Sequence, residues 1–273
     1  MPLNLDVDVV VVGFGMAGAA ASLAATRDGA RVLVLDQDFL TRRRSSARRA
    51  GRSGNSALAD VRASALDAGV QVRTGCRAHE LVVVGGEISG VGYATLPPGG
   101  APTAAYRWLR ASGGLAPAAF SAPFTRAADA VWRSAFVVGE VTCPSVVLAL
   151  DPSHWEFVGP AVWTAVRAAG RTGTRLPSRP RLRLATVGMT VAELPVRRWC
   201  AGQEAPSTCH DELRVDDRTG AVLTGEQAVP GLYSAVRVAA ASTGSAFRAG
   251  QCAGRGAADA AGRHGGAALL SVV

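Results

Sequence analysis

Six residues near the amino end, Gly13-Phe14-Gly15-Met16-Ala17-Gly18, have the spacing G-x-G-x-x-G. Each glycine has a mechanical task there. The first makes a tight turn, the second lets backbone approach a diphosphate, and the third lets the next helix pack on the strand. The helix start then offers unpaired N–H groups and partial positive charge to an anion. Asp36 follows 18 residues after Gly18, where a carboxylate can accept hydrogen bonds from ribose hydroxyls. An acid there disfavours a phosphorylated ribose and hence NADP, and the spacing alone leaves both FAD and NAD open. Glycine numbers 32 in this chain, so a glycine-packed turn without ligand is the competing reading.

Few other groups offer chemistry. Asp151-Pro152-Ser153-His154-Trp155-Glu156 gathers a His, two acids and an aromatic ring in six residues. His154 would suit acid/base work, although a helix-capping loop has the same composition. Tyr106, Arg107, Trp108 and Arg110 suit a flat or anionic substrate, or simply an amphipathic surface segment. His210 and His264 lie in polar or terminal settings and read as solvated. The five cysteines form no C-x-x-C pair, and Cys200, Cys209 and His210 match no usual zinc spacing. No metal is expected, and free thiols in a reducing cytoplasm are. Hydrolase elbows, Walker loops and H-E-x-x-H are absent from the sequence, so those enzyme classes gain no support.

The elements that must carry the glycine turn are legible around it. Val7 to Val12 is a β-branched run, the mark of a strand buried on both faces. Ala17 to Arg27 reads as an Ala-rich helix with Gly29 as its stop. Arg31 to Leu35 is a second strand ending at Asp36, which completes a βαβ unit with parallel strands. The polar, Arg-rich stretch 37–56 reads as a loop, Ala57 to Ala68 as a helix and Val70 to Arg73 as a strand. Leu81 to Val84 and Ile88 to Tyr93 form a hairpin around Gly85-Gly86. The middle, about 101–206, is less regular; Val146 to Leu150 reads as a strand and Gly159 to Ala169 as a helix. Later, an Asp216-Asp217-Arg218-Thr219-Gly220 turn separates two short strands, Leu232 to Val238 is another strand, and Gly250 to Arg263 reads as a closing helix.

The chain has 273 residues and is 48% hydrophobic and 18% charged, which fits a globular protein with a substantial core. All 29 basic residues are Arg and the net charge is +8. Codon bias accounts for this more simply than nucleic-acid binding does. The run Arg42, Arg43, Arg44, Arg48, Arg49 and Arg52 has no interleaved aromatic residue for base stacking. Val9 to Thr26 carries no charge over 18 residues, but its three glycines make it a strand turning into a helix rather than a membrane span. A cytoplasmic protein with a small-molecule substrate, and with neither nucleic acid nor membrane as partner, is expected.

Asp8 to Gly18 with Val32 to Asp36 resembles the opening of the succinate dehydrogenase/fumarate reductase flavoprotein family, which includes the 3-ketosteroid dehydrogenases. Leu58 to Gly92 resembles that family's next segment. Arg214 to Leu223, then Val229 to Ala235, resembles the strand returning to the flavin, and Gly250 to Gly262 the closing helix. The pairing of amino- and carboxyl-terminal matches favours FAD over NAD. The resemblance implies an α/β, Rossmann-like FAD-binding fold with a parallel sheet, a β-meander and a reduced, cap-like middle segment. Residues 1–100 and 206–273 would form the FAD-binding domain and 101–205 the insertion. The cofactor-binding set it implies is Gly13, Gly15, Met16, Ala17, Gly18, Asp36, Gln37, Ala78, Gly250, Gln251 and Cys252. The last three would aim N–H groups at the flavin pyrimidine.

The chain also departs from that family. Ala235-Val236-Arg237 lacks the expected glycine, and Ser45, Ser46, Ser53 and Gly54 alone remain of a Ser/Gly-rich flavin loop. Where fumarate reductases carry a His and an Arg, this chain has Thr243 and Phe247; the Tyr of ketosteroid dehydrogenases also falls on Phe247. No catalytic group is therefore assigned, and Arg248, His154 and Tyr106 are the candidates. The resemblance implies an oxidoreductase moving hydride between FAD and a carbon of a small organic substrate, cyclic ketones included, in bacterial secondary metabolism. The alternatives are a degenerate flavin-binding scaffold, or a cyclase or isomerase that retains the flavin.

Overall fold

The computed structural model describes residues 6–37, 52–84, 87–149, 183–186, 189–193, 196–200, 209–213, 215–224, 227–235 and 243–270. Strand β1 (Val9–Val12), helix α1 (Met16–Arg27) and strand β2 (Val32–Asp36) follow one another as the valine runs and the Ala-rich stretch between them dictate. Helix α1 stops at Gly29, whose φ of 89° belongs to the left-handed region that glycine tolerates. The Gly29 N–H donates to the Thr26 carbonyl and the Ala30 N–H to that of Ala25, which satisfies the last turn.

Helix α2 (Arg52–Asp67) leads to β3 (Gln71–Thr74), and a hairpin follows, β4 (Cys76–Val84) and β5 (Glu87–Thr95). Helices α3 (Ala101–Leu115) and α4 (Ala118–Ala135) come next, then β6 (Val137–Thr142) and β7 (Ser145–Leu148). Strands β8 (Arg183–Thr186), β9 (Met189–Glu193), β10 (Val196–Cys200), β11 (Cys209–Leu213), β12 (Ala221–Thr224) and β13 (Gln227–Ser234) precede the closing helix α5 (Thr243–Leu270).

One sheet has the order β12-β13-β7-β1-β2-β3. From β13 to β3 every pairing is parallel, and β12 is antiparallel to β13. A second sheet, β6-β5-β4-β8-β9, contains the antiparallel meander β4-β5-β6. The period of two along each parallel strand sorts the core into two layers. Val10, Val12, Leu33, Leu35, Val146 and Leu148 face the meander and pack with Leu81, Val91, Tyr93 and Val141. Val9, Val11, Val32, Val34 and Val147 face the alanines of α1 and α5. The fold is therefore helices, parallel sheet and meander in three layers, the α/β class that the valine runs imply.

Three expectations change. First, Ser145–Leu148 falls inside the stretch 101–205 assigned to an insertion, yet it pairs with both β1 and β13 at the centre of the parallel sheet. Only Cys143 and Pro144 separate it from β6, so the chain passes from meander to sheet within the supposed insertion. Second, two helices occupy 101–135. Gly113 and Gly114 near the end of α3, and Pro123 inside α4, hide their periodicity. Third, the closing helix begins at Thr243 rather than Gly250, because its glycines are packing positions and not stops. A β-carbon on Gly250 or on Gly254 would strike the carbonyl of Ala17 or of Ala21 in α1.

Candidate functional site

The carboxyl ends of the parallel strands form one edge. Val12 is in register with Leu35 and Leu148, Leu148 with Ser234, and Asp36 with Thr74. From β1 the chain goes to β2 on one side, while β7 returns on the other. The edge above β1 and β7 is therefore the topological switch point, where ligands bind in open α/β sheets.

The glycine loop lies at that point, and its three glycines divide the work as their spacing implies. Gly13 has φ of 98°, and its N–H donates to the Leu35 carbonyl at 2.8 Å. That bond ties the loop to the residue before Asp36. Gly15 is the N-cap of α1 with φ of −70°, and a β-carbon on it would meet nothing within 4 Å. Gly18 is the opposite case: a β-carbon there would collide with the Gly13 carbonyl and stand 3.2 Å from the Ala149 β-carbon. Helix α1 carries no side-chain cap and no acid in its first turn. Its leading N–H groups thus receive no acceptor from the N-cap residue, a glycine. Space beside the second glycine, tightness at the third and an uncapped helix start fit a diphosphate.

Asp36 ends β2 and is buried at 4% exposure. Its charge also reaches Cys76, whose thiol is pushed up mainly by burial, with Arg73 and Thr95 opposing and Asp36 assisting. Gln37 next to it is half-buried, and Ala78 is buried in β4 opposite Tyr93.

The carboxyl-terminal candidates stand differently from expectation. Gly250, Gln251 and Cys252 lie two turns inside α5, where their N–H groups belong to the helical ladder, and the first turn of this helix is at Thr243. Arg248 is exposed on the same helix. Tyr106 is 3% exposed in a small core with Ala94, Leu96, Ala128 and Trp132 under the α3–α4 hairpin. Its hydroxyl accepts from Arg77 Nη2 at 3.2 Å, and the Arg77 guanidinium lies 4.2 Å from the Trp132 ring centroid. Arg107 and Arg110 are exposed, as is Trp108. His154 and the cluster around it lie outside the described residues, as do Arg42, Arg43, Arg44, Ser45, Ser46, Arg48, Arg49 and His210's side-chain surroundings. The β10–β11 register puts Cys200 opposite Cys209 and Trp199 opposite His210. Among the described residues no group of three His, Cys, Asp or Glu side chains could hold a metal ion.

One residue at the loop escaped the sequence reading. Arg62, on α2, donates its Nε–H to the Phe14 carbonyl at 2.6 Å, and its guanidinium stands 5.2 Å from the Phe14 ring centroid. An arginine 48 residues downstream of the loop residue it holds carries no local signal.

The family described as FAD binding domain matches residues 8–51, the segment that contains the glycine loop and Asp36. No curated protein matches the chain. Among solved structures, HlmI is similar with 14% identity and a TM-score of 0.47, over 100% of this chain and 98% of that one. THI4 of Thermovibrio ammonificans is similar with 16% identity and a TM-score of 0.45, over 94% and 89%. A thioredoxin reductase from Gloeobacter violaceus has 14% identity and a TM-score of 0.39, over 92% and 94%. The cofactor is FAD, the choice between FAD and NAD being made by the family that residues 8–51 match.

Proposed function

We propose that this protein is an FAD-dependent oxidoreductase that moves hydride between the flavin and a carbon of a small organic substrate. The observation that carries the reading is the coincidence of the matched FAD-binding segment with an uncapped helix start at the switch point of a parallel sheet. Gly13 turns the chain, Gly15 leaves room for the diphosphate, and the N–H groups of Met16, Ala17 and Gly18 hold it. Asp36 accepts from the adenosine ribose, with Gln37 and the Ala78 backbone beside the adenosine. Helix α5, which carries Gly250, Gln251 and Cys252, supports α1 from behind and brings its own amino end, at Thr243, toward the carboxyl edge of the sheet. FAD, when bound, supplies the redox chemistry, while the protein binds, orients and excludes water. Cyclic ketones and bacterial secondary metabolism remain the proposed context. No described helix is long and apolar enough to cross a membrane.

A second reading has one observation in its favour. Tyr106, a catalytic candidate, is spent in a core with Trp132 and Arg77, which suits a flavin-binding scaffold without acid/base residues. Purification separates these readings stepwise. The protein should be yellow, should release FAD on denaturation, and its apo form should melt higher when FAD is added back. A colourless protein whose melting temperature FAD does not raise ends the cofactor assignment. Photoreduced protein that is reoxidised by cyclic enones is an oxidoreductase; one reoxidised by oxygen alone does not pass hydride to cyclic enones, which leaves the scaffold and the flavin-retaining cyclase or isomerase.

A further inference from the structure

We propose that Arg62 is the positioning residue for the diphosphate-binding loop, acting through the Phe14–Gly15 peptide. The inference rests on the FAD reading and assigns a role to a residue outside the glycine motif. Arg62 grips Phe14 twice. Nε donates to the Phe14 carbonyl at 2.6 Å, and the guanidinium stands 5.2 Å from the centroid of the Phe14 ring, itself 2% exposed. Two contacts to one residue leave the carbonyl little freedom of direction.

The consequence follows from the geometry of the peptide bond. The chain contains no cis peptide among its described residues, and in a trans peptide the C=O and the next N–H lie in one plane and point in opposite directions. Holding the Phe14 carbonyl against α2 therefore turns the Gly15 N–H to the side away from α2. Gly15 is the N-cap of α1, and the space where its β-carbon would stand is open. The same bond draws the negative end of the Phe14 carbonyl toward a cation. An unheld carbonyl in this loop, free to swing, would oppose an incoming diphosphate. Arg62 thus both removes a repulsive dipole and presents a donor.

Arginine suits this role and lysine does not. A planar fork can donate edgewise to a carbonyl while its face covers a ring, whereas an ammonium is a point donor on a flexible stem.

The test compares wild type, Arg62→Met and Arg62→Lys by calorimetric titration of the apoprotein with FAD, ADP and adenosine, alongside urea unfolding of each apo form. The positioning role requires that Arg62→Met weaken FAD and ADP about tenfold, the loss of one well-aimed hydrogen bond to a charged group, with adenosine binding unchanged. Arg62→Lys should recover little of the loss. If ADP and adenosine weaken together, in step with a lower unfolding midpoint, Arg62 is a structural tie and the inference is wrong. Variants that bind FAD and ADP as wild type does also overturn it, while leaving the cofactor reading intact. A wild type that takes up neither FAD nor ADP overturns both.

Discussion

The carbonyl oxygen of Gly13 occupies the space that a side chain on Gly18 would need. The atom that the added β-carbon would strike is a backbone carbonyl, so no flexible side chain can move aside. Gly18→Ala must push α1 away from the end of β1, an overpacking expected to cost about 1–3 kcal/mol. Urea unfolding of the apoprotein reads this directly, and FAD uptake should fall with it. An unchanged unfolding curve would show that the helix and strand are not in this close contact.

Gly15 makes the complementary prediction, because its missing side chain faces open space and its φ of −70° suits any residue. Gly15→Ala should cost apo stability at most about 1 kcal/mol, the N-cap preference for Gly over Ala, while weakening FAD at least about tenfold, since the added methyl would stand in the space proposed for the diphosphate. Adjacent glycines of one motif would thereby separate folding from binding. Equal loss of both properties contradicts the assignment of Gly15 to the ligand.

Much of this was legible in sequence because one residue type answers one geometric demand. Val9 to Val12 could only be a strand covered on both faces, and the alternation of those faces between meander and helices follows from the period of two. The glycine loop and Asp36 were legible because they are local to each other. What escaped was non-local or disguised. Val146 to Leu150 reads as a strand, but nothing in its letters says that it pairs with β1 rather than within the middle segment. Helices α3 and α4 were masked by Gly113, Gly114 and Pro123. Gly250 reads as the start of α5, since a glycine that admits a neighbouring helix and a glycine at a helix boundary look alike. Arg62 was invisible because its partner lies on another element.

Asp36 is buried at the tip of β2, one residue beyond the carbonyl that holds the Gly13 N–H. Asp36→Asn keeps the size and loses the charge-assisted acceptor proposed for the ribose hydroxyls. It should weaken FAD by about 1.5–3 kcal/mol and narrow the preference for an unphosphorylated over a 2′-phosphorylated adenosine ribose. Competition between ADP and its 2′-phosphorylated analogue measures this. A preference that does not move would place the ribose elsewhere.

At the opposite end of the sheet, Asp8 accepts from Arg31 Nε at 3.0 Å, from Nη2 at 2.8 Å and from the Arg31 backbone N–H at 2.8 Å. These bonds, the side-chain one first and against some desolvation, hold the Asp8 carboxyl below its usual range. A carboxyl whose folded pKa is depressed contributes stability above its unfolded pKa and loses it as pH falls through the folded value. Asp8→Asn should therefore unfold earlier than wild type at neutral pH, with the gap closing in the acid range below the ordinary Asp pKa. Melting curves across that range test the sign; a gap that widens on acidification refutes it.

Helix α5 makes its closest approach to α1 through glycines one turn apart. A β-carbon on Gly254 would strike the Ala21 carbonyl and lie 2.9 Å from the Ala21 α-carbon, and Gly250 stands likewise against Ala17, with Ala20 2.9 Å away. Because α1 presents only backbone and small side chains there, a methyl on Gly254 cannot be absorbed by a rotamer change. Gly254→Ala should lower apo stability by about 1–3 kcal/mol, although alanine is the better helix former. Gly262, on the same helix, is exposed with nothing within 4 Å of a β-carbon. Gly262→Ala should therefore gain about 0.5–1 kcal/mol from helix propensity alone. The opposite signs are the content of the prediction, since one chemical change is made twice on one helix and differs only in what stands opposite. If both substitutions stabilise, α5 does not dock on α1 through Gly254, and the support it gives to the loop-bearing helix is lost with it.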